Sequence, residues 1–163
     1  MKHTYSCALD SPLGTLVLES DGVHLVALHA GGRIDGERDD SLPLFADASQ
    51  QLCEYFAGER RKFDLPLKQE GTPFQQCVWQ ALERIPFGVS KSYAEIAAEI
   101  GQPTASRAVG NANGRNRLML LVPCHRVIAS GGGLGGYAGG LWRKEWLLKH
   151  EGAEVISSRR QRA

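Results

Sequence analysis

The sequence predicts an α+β protein, with a small N-terminal sheet and helix followed by a helical part that carries a helix-turn-helix. Three observations predict it. Apolar residues recur at every second position near the N-terminus; from residue 72 onward helix caps and helical spacing take over; and charge divides at the same place. The whole chain of 163 residues carries a net charge of +1. Residues 1–70, however, hold 7 Lys/Arg against 12 Asp/Glu, a net of −5, whereas residues 71–163 hold 12 against 6, a net of +6. With 42% hydrophobic side chains, a chain of this length supports one core or two small ones. The division reads as an α/β subdomain over 1–70, a helical domain over 71–152 and a basic tail over 153–163. That tail lacks periodicity and reads as disordered.

In order, the first element is a hairpin. Thr15 to Ser20 and Val23 to His29 alternate apolar and polar, with the turn at Asp21-Gly22. The polar run from Gly31 to Ser41 reads as an exposed loop. Phe45, Ala48, Leu52 and Tyr55/Phe56 then recur at helical spacing until Gly58. Past a linker-like Lys68 to Thr72, Thr72-Pro73-Phe74-Gln75 combines an N-cap, a proline at the first helical position and a capping-box glutamine. The helix it opens runs to about Ile85, with a buried stripe of Phe74, Val78, Ala81/Leu82 and Ile85. Ser92-x-x-Glu95 opens a short helix that Gly101 stops. Gln102-Pro103 turns the chain, and Thr104 is placed to cap a third helix from Ala105 to Gly114. Two short helices around a Gly/Pro turn have the form of a helix-turn-helix.

Composition excludes several classes. No stretch approaches the roughly 18 to 20 apolar residues of a membrane span, and the N-terminus lacks the basic-then-apolar order of a secretory signal; the expected location is the cytoplasm. Cys7, Cys53, Cys77 and Cys124 form no C-x-x-C pair and read as reduced thiols, with Cys53 and Cys77 among helix-core positions. Cys7, His3, His24 and His29 match no regular metal-ligand spacing. Neither a metal nor a cofactor is expected.

The positive charge is concentrated. No acid occurs between Glu99 and Glu145, while Arg107, Arg115, Arg117, Arg126, Arg143 and Lys144 fall within or beside that stretch, as suits a polyanion. In the third helix Ala105, Ser106, Ala108, Gly110, Ala112 and Gly114 leave little bulk around Arg107. Such a surface suits either close approach to a DNA groove or tight packing on another helix.

Past a turn at Asn113 to Asn116, an apolar run from Leu118 to Val122 leads into Pro123-Cys124-His125-Arg126-Val127. The run delivers Cys124 to a shielded place, and proline stiffens the approach. A free thiol, with a pKa of roughly 8.5, is mostly protonated at neutral pH, so His125 offers the base that would make it a nucleophile. Adjacent side chains in an extended segment would nevertheless point apart.

Pro123-Cys124-His125-Arg126-Val127, the loop Gly136-Tyr137-Ala138-Gly139-Gly140 and Arg143-Lys144-Glu145-Trp146-Leu147-Leu148 form a long, ordered string. It resembles the O6-alkylguanine-DNA alkyltransferases. Ser92-Tyr93, Arg107-Ala108-Val109-Gly110 and Asn116 stand at the family's spacing, and the likeness covers residues 72 to 152 closely. It implies direct-reversal repair. The alkyl group of O6-alkylguanine in double-stranded DNA would pass irreversibly to Cys124, once per molecule, leaving a thioether that nothing in the sequence can cleave. A sulfur so enlarged would crowd its site at a cost of about 1 to 3 kcal/mol.

The resemblance also implies roles. Cys124 would accept the alkyl group, His125 would take its proton through a water, and Glu151 would orient His125. Tyr93 would donate to the guanine ring, and Asn116 would brace the segment before Cys124. Val127 and the loop of Tyr137, Ala138 and Gly139 would form the base pocket. Ala105, Ser106, Arg107, Ala108 and Gly110, with Arg115 close by, would approach the minor groove. Arg107 would fill the gap left by the flipped nucleotide. The protein is expected to act as a monomer without a membrane partner. One departure is Arg117, where the family commonly has proline. Three rivals remain: a lesion-binding protein that transfers nothing, a helix-turn-helix regulator, and a cysteine hydrolase on Cys124-His125. Cys124 argues against the first; indifference to Cys124→Ser would mark the second; the third lacks an oxyanion-hole glycine motif.

Overall fold

The computed structural model describes residues 4–31 and 37–153. The chain divides into two compact units, one made of residues 1–69 with 117–121 and the other of residues 70–116 with the chain from 122 onward.

The first unit is built on a four-stranded sheet of β1 (Tyr5–Leu9), β2 (Leu16–Ser20), β3 (Leu25–Ala30) and β4 (Glu37–Arg38), in the order β3-β2-β1-β4. The expected hairpin is β2 and β3, antiparallel, with Leu18 opposite Leu28. β1 pairs antiparallel with β2 and parallel with β4. The run read as an exposed loop, Gly31 to Ser41, therefore contains a short strand; residues 32–36 of it lie outside the described residues, as does the tail from 154. Every residue of β2 is buried, so its alternation marks a pleat covered on both faces.

α1 (Pro43–Phe56) supplies Phe45, Ala48, Leu52 and Tyr55 to this core. Gln51 on the same face fastens the chain beyond the helix: its Oε1 accepts from the Asp64 N–H at 2.8 Å and its Nε2 donates to the Asp64 carbonyl at 3.0 Å. Residues 117–121 belong here because they join the edge of β3. The Leu28 N–H donates to the Arg117 carbonyl at 2.8 Å, and the Met119 N–H returns to Leu28 at 3.2 Å. Arg117 also donates its own N–H to Gln69 Oε1 at 3.0 Å. A proline would lack that donor, which gives the departure from the family pattern a local structural use.

The apolar run is buried as expected but is not extended. Leu120 adopts φ 73°, a left-handed conformation that costs a bulky residue about 1 to 2 kcal/mol. Full burial of its side chain opposes that cost.

The second unit contains α2 (Pro73–Glu83), β5 (Lys91–Ser92), α3 (Tyr93–Glu99), α4 (Ser106–Gly114), a 3-10 turn (Cys124–Arg126), β6 (Val127–Ile128) and α5 (Leu141–His150). Both capping boxes form: Thr72 with Gln75, and Ser92 with Glu95. α4 departs from expectation. Its N-cap is Ala105, with no side-chain cap, in place of Thr104, while its end at Gly114 is where the sequence sets it. Trp79 Nε1 donates to the Ala112 carbonyl at 2.9 Å, tying α2 to α4. No helix among the described residues is long and apolar enough to cross a membrane.

Cys53 and Cys77 are exposed, against the expectation that they fill helix cores. On α1 the buried face is set by Phe45, Ala48, Leu52 and Tyr55, and on α2 by Val78, Trp79, Ala81 and Leu82. Cys53 and Cys77 each stand next to such a face in sequence and are rotated off it by about 100°. Phe74 is only half-buried, and Trp79, outside the expected stripe, is buried.

Candidate active site

Two short strands position the reacting groups. β5 and β6 pair in parallel, with Lys91 beside Val127 and Ser92 beside Ile128. Tyr93 opens α3 directly after β5, and the 3-10 turn of Cys124 to Arg126 runs directly into β6. Tyr93 leaves one end of this ladder and the thiol enters at the other, yet the two come near enough for the Cys124 charge to act on the Tyr93 phenol. The turn also removes the difficulty of an extended Cys-His pair, because consecutive residues now lie about 120° apart around a tight helix rather than on opposite faces.

Cys124 is 6% exposed. The Asn116 side chain hydrogen-bonds to its thiol and donates to the Val122 carbonyl at 2.8 Å, so Asn116 braces the chain on both sides of Pro123. Asn113 Nδ2 donates to the Cys124 carbonyl at 3.3 Å. Burial pushes the Cys124 thiol up from its ordinary range; Asn116, the charge of Lys144 and the hydroxyl of Tyr137 act in the opposite direction and lose. The resting sulfur therefore keeps its proton, and ionisation belongs to the reaction itself.

His125 is fully buried, and its Nε2 donates to Glu151 Oε2 at 2.8 Å. Burial lowers the His125 pKa, with the nearby cations Arg126 and Lys144 adding to it and Glu151 only partly opposing. The ring is neutral. With Nε2 carrying the proton given to Glu151, Nδ1 holds the free lone pair, and it accepts no hydrogen bond among the described residues. Nδ1 is thus the basic atom.

Burial would raise the Glu151 carboxyl, but hydrogen bonds from His125 and Arg126, with the charges behind them, hold it well below the usual carboxylate range. Glu151 caps the C-terminus of α5, an unfavourable place for an anion next to the helix dipole. Arg126 compensates. Its Nε donates to Oε1 at 2.8 Å and its Nη2 to Oε2 at 3.0 Å, while Nη1 reaches the Ile85 carbonyl at 2.6 Å. Arg126 was not among the expected site residues. Its position next to His125, in a stretch from which acids are missing, was the available signal.

Tyr93 has its phenol pushed up, first by burial and then by the Cys124 charge, against a hydrogen bond with the Gly136 backbone. It keeps its proton and remains a donor. Above it the glycine-rich loop is fastened from α5: Arg143 Nη1 donates to the Gly139 carbonyl at 2.7 Å and Lys144 Nζ to the Gly136 carbonyl at 3.2 Å. Gly135 has φ 69°, and a Cβ there would stand 2.8 Å from the Tyr93 hydroxyl. Lys144 is the second residue missed; it is fully buried. Lys144, Leu147, Leu148 and Glu151 follow one another at i, i+3, i+4 and i+7, the spacing of a single helix face.

Of the other expected residues, Val127 is buried beside the turn, Tyr137 and Gly139 are half-buried, and Ala138 is exposed. On α4, Arg107 and Ala108 are exposed, Ala105, Ser106 and Gly110 are half-buried, and Arg115 is exposed just past the helix end. The small-residue surface around Arg107 is thus open at its centre. Among the described residues no group of three His, Cys, Asp or Glu side chains is placed to hold a metal ion. A buried thiol, a neutral imidazole with a free nitrogen, a fixed carboxylate and a phenol donor are together equipped for nucleophilic attack by sulfur with proton transfer to and from its neighbours.

Comparison with known proteins agrees. Residues 73–153 match the family model described as "6-O-methylguanine DNA methyltransferase, DNA binding domain", and residues 1–69 match "6-O-methylguanine DNA methyltransferase, ribonuclease-like domain". A constitutive methylated-DNA--protein-cysteine methyltransferase of Bacillus subtilis is 52% identical over 143 residues, covering 83% of this chain and 87% of that one. A methylated-DNA--protein-cysteine methyltransferase of Methanosarcina acetivorans is 47% identical, covering 91% and 99%. Among solved structures, Mycobacterium tuberculosis OGT in complex with DNA superposes with a TM-score of 0.86 at 46% identity, covering 91% of this chain and 92% of that one.

Proposed function

The chain belongs to the 6-O-methylguanine DNA methyltransferase family, and from that premise we propose that it repairs DNA by direct reversal, drawing alkyl groups from O6-alkylguanine onto Cys124. The enzyme is a methylated-DNA–[protein]-cysteine S-methyltransferase that acts once. As the bond from sulfur to the alkyl carbon forms, the bond from that carbon to O6 breaks. The thiol proton passes through a water to His125, and the guanine ring accepts a proton as it leaves. The observation that carries this reading is the buried Cys124 thiol next to a neutral His125 whose Nε2 is fixed on Glu151.

On this reading each group has a role. His125 Nδ1 is the base. Glu151 orients the ring and stabilises it when protonated, and Arg126 positions Glu151. Tyr93 donates to the leaving guanine, while Val127, Tyr137, Ala138 and Gly139 form the base pocket. Alkylguanine within a duplex is out of reach, so the nucleotide is turned out at a cost of a few kcal/mol. Arg107 enters the stack from the minor groove. The half-buried Ala105, Ser106 and Gly110 and the exposed Ala108 let the helix come close, and Arg115 contacts phosphate. On this reading residues 1–70 support a DNA-binding and transfer domain over 71–152, with 153–163 as a basic tail. The protein works as a monomer on double-stranded DNA in the cytoplasm, where its four unpaired thiols remain reduced.

Intact mass spectrometry tests the proposal. Incubation with a duplex carrying one O6-methylguanine is expected to add about one methyl mass per molecule, and Cys124→Ser is expected to add none. Tight binding to the lesion with no mass change in the wild type would make the protein a sensor and remove Cys124 from its role as acceptor.

A further inference from the structure

The segment from Gly131 to Gly140 holds seven glycines in ten residues and forms no helix or strand. Glycine loses more conformational freedom on folding than any other residue, so such a segment keeps one shape only where something grips it. Its end next to α5 is gripped by Arg143, whose Nη1 donates to the Gly139 carbonyl at 2.7 Å. That arginine stands in the first turn of α5, which carries no acid and where the helix dipole disfavours a cation. The exposed indole of Trp142 offsets this. The guanidinium carbon lies 4.4 Å from the centre of the Trp142 ring, within cation-π range of the aromatic that attracts a cation most strongly. Both side chains gather over Gly140: a Cβ there would meet Trp142 Cδ1 at 3.6 Å and Arg143 Nη1 at 3.9 Å. The Gly140 N–H itself closes back on the Tyr137 carbonyl at 3.0 Å.

We propose that Trp142 and Arg143 are positioning residues for the transfer reaction: the indole holds the guanidinium flat, and the guanidinium holds the Tyr137 to Gly139 segment in the shape that receives the extruded guanine. The proposal rests on the transfer reading, in which that segment is part of the base pocket. The clamp acts through the backbone of the loop. A loop that visits the receiving shape only part of the time takes up the base correspondingly less well, because apparent affinity scales with the populated fraction. Arginine suits the task because its planar fork stacks and donates at once, which a lysine ammonium does not.

Four substitutions test the clamp. Trp142 is 52% exposed, so Trp142→Ala leaves both the core and the charge of the chain untouched. Arg143→Met removes the grip, Trp142→Phe keeps an aromatic face, and Arg143→Lys keeps the charge. Hydrogen exchange read by mass spectrometry is expected to speed up by about three- to tenfold over Tyr137 to Gly140 in Trp142→Ala and Arg143→Met. In single turnover on a duplex with one O6-methylguanine, transfer should fall by about three- to tenfold in each and no further in the double variant. It should recover in Trp142→Phe but not in Arg143→Lys. Iodoacetamide reads the sulfur without the base pocket, in a background where the exposed Cys53 and Cys77 are changed to serine. Its rate at Cys124 should stay that of the wild type, as should the affinity of Trp142→Ala for an undamaged duplex. Unchanged exchange or unchanged transfer in Trp142→Ala, or losses that multiply in the double variant, overturn the proposal. So do three other results: a fall in the iodoacetamide rate, which places the effect at the sulfur; weaker binding to undamaged DNA, which makes Trp142 a DNA contact; and recovery in Arg143→Lys, which makes Arg143 a simple charge. If the unsubstituted protein takes up no methyl group, the transfer reading is what fails, and hydrogen exchange alone decides whether the clamp holds the loop.

Discussion

Glu151 accepts from His125 Nε2 at 2.8 Å across 26 residues of sequence and, through the same carboxylate, receives two nitrogens of Arg126. One anion thus fixes the tautomer of the base and is itself fixed by a guanidinium anchored on Ile85. Orientation of the base and integrity of the buried network therefore depend on the same side chain.

Glu151→Gln leaves Arg126 charged and buried without its counter-ion. Loss of about 3 to 5 kcal/mol of stability is expected in urea denaturation. The transfer rate, measured in single turnover at a temperature where the variant is folded, should fall by about 100-fold, because His125 loses the anion that holds and stabilises it. Retention of the wild-type rate would remove Glu151 from the relay.

Acid should destabilise the protein in a window set by this pair. His125 has a lowered pKa, so between its ordinary value of about 6.5 and its folded value the unfolded chain binds the extra proton. Glu151 is also lowered, so below about 4.5 the unfolded chain again binds more. Both contributions have the same sign: stability is full above about pH 6.5, falls below it through His125, and falls again below about pH 4.5 through Glu151. Equilibrium unfolding at a series of pH values, with Glu151→Gln showing a shallower decline, checks this.

Gly135 carries a strained demand that Gly131 does not. A methyl group at Gly135 would meet the Tyr93 hydroxyl at 2.8 Å on a backbone with φ 69°, whereas one at Gly131 meets nothing within 4 Å. Gly135→Ala is expected to cost about 1 to 2 kcal/mol in thermal stability and to slow transfer by displacing the phenol. Gly131→Ala should change neither. Equal effects from the two would mean that the Tyr93 contact does not matter.

Arg107→Ala separates nucleotide extrusion from chemistry. Turning a base out of a duplex costs a few kcal/mol that a single strand does not require. The variant should therefore lose about tenfold or more in transfer from duplex O6-methylguanine, while transfer from a single-stranded oligonucleotide stays within about twofold. An equal loss on both substrates would make Arg107 a general phosphate contact.

Much of this protein is legible before folding. The β2–β3 hairpin, α1, both capping boxes and the helix-turn-helix follow from residues within a turn or two of one another, as does the Pro123 to Val127 string that points to a thiol nucleophile. Local energetics fix such features, because a cap or an apolar period is satisfied by near neighbours. Where the reading missed, a distant group had decided. Cys53 and Cys77 lie next to buried faces in sequence but rotated off them, and Thr104 yielded the cap of α4 to Ala105. The apolar run before Cys124 meets β3 at one bridge, Leu118 beside Leu28, and then turns at Leu120. Arg126 and Lys144 had appeared in a basic stretch and in the strings that carry the resemblance, with no role of their own. Tertiary structure buried both, setting Arg126 on Glu151 and Ile85, 25 and 41 residues away. A charge is tolerated inside a protein only where such partners converge, and that convergence exists only once the chain has folded.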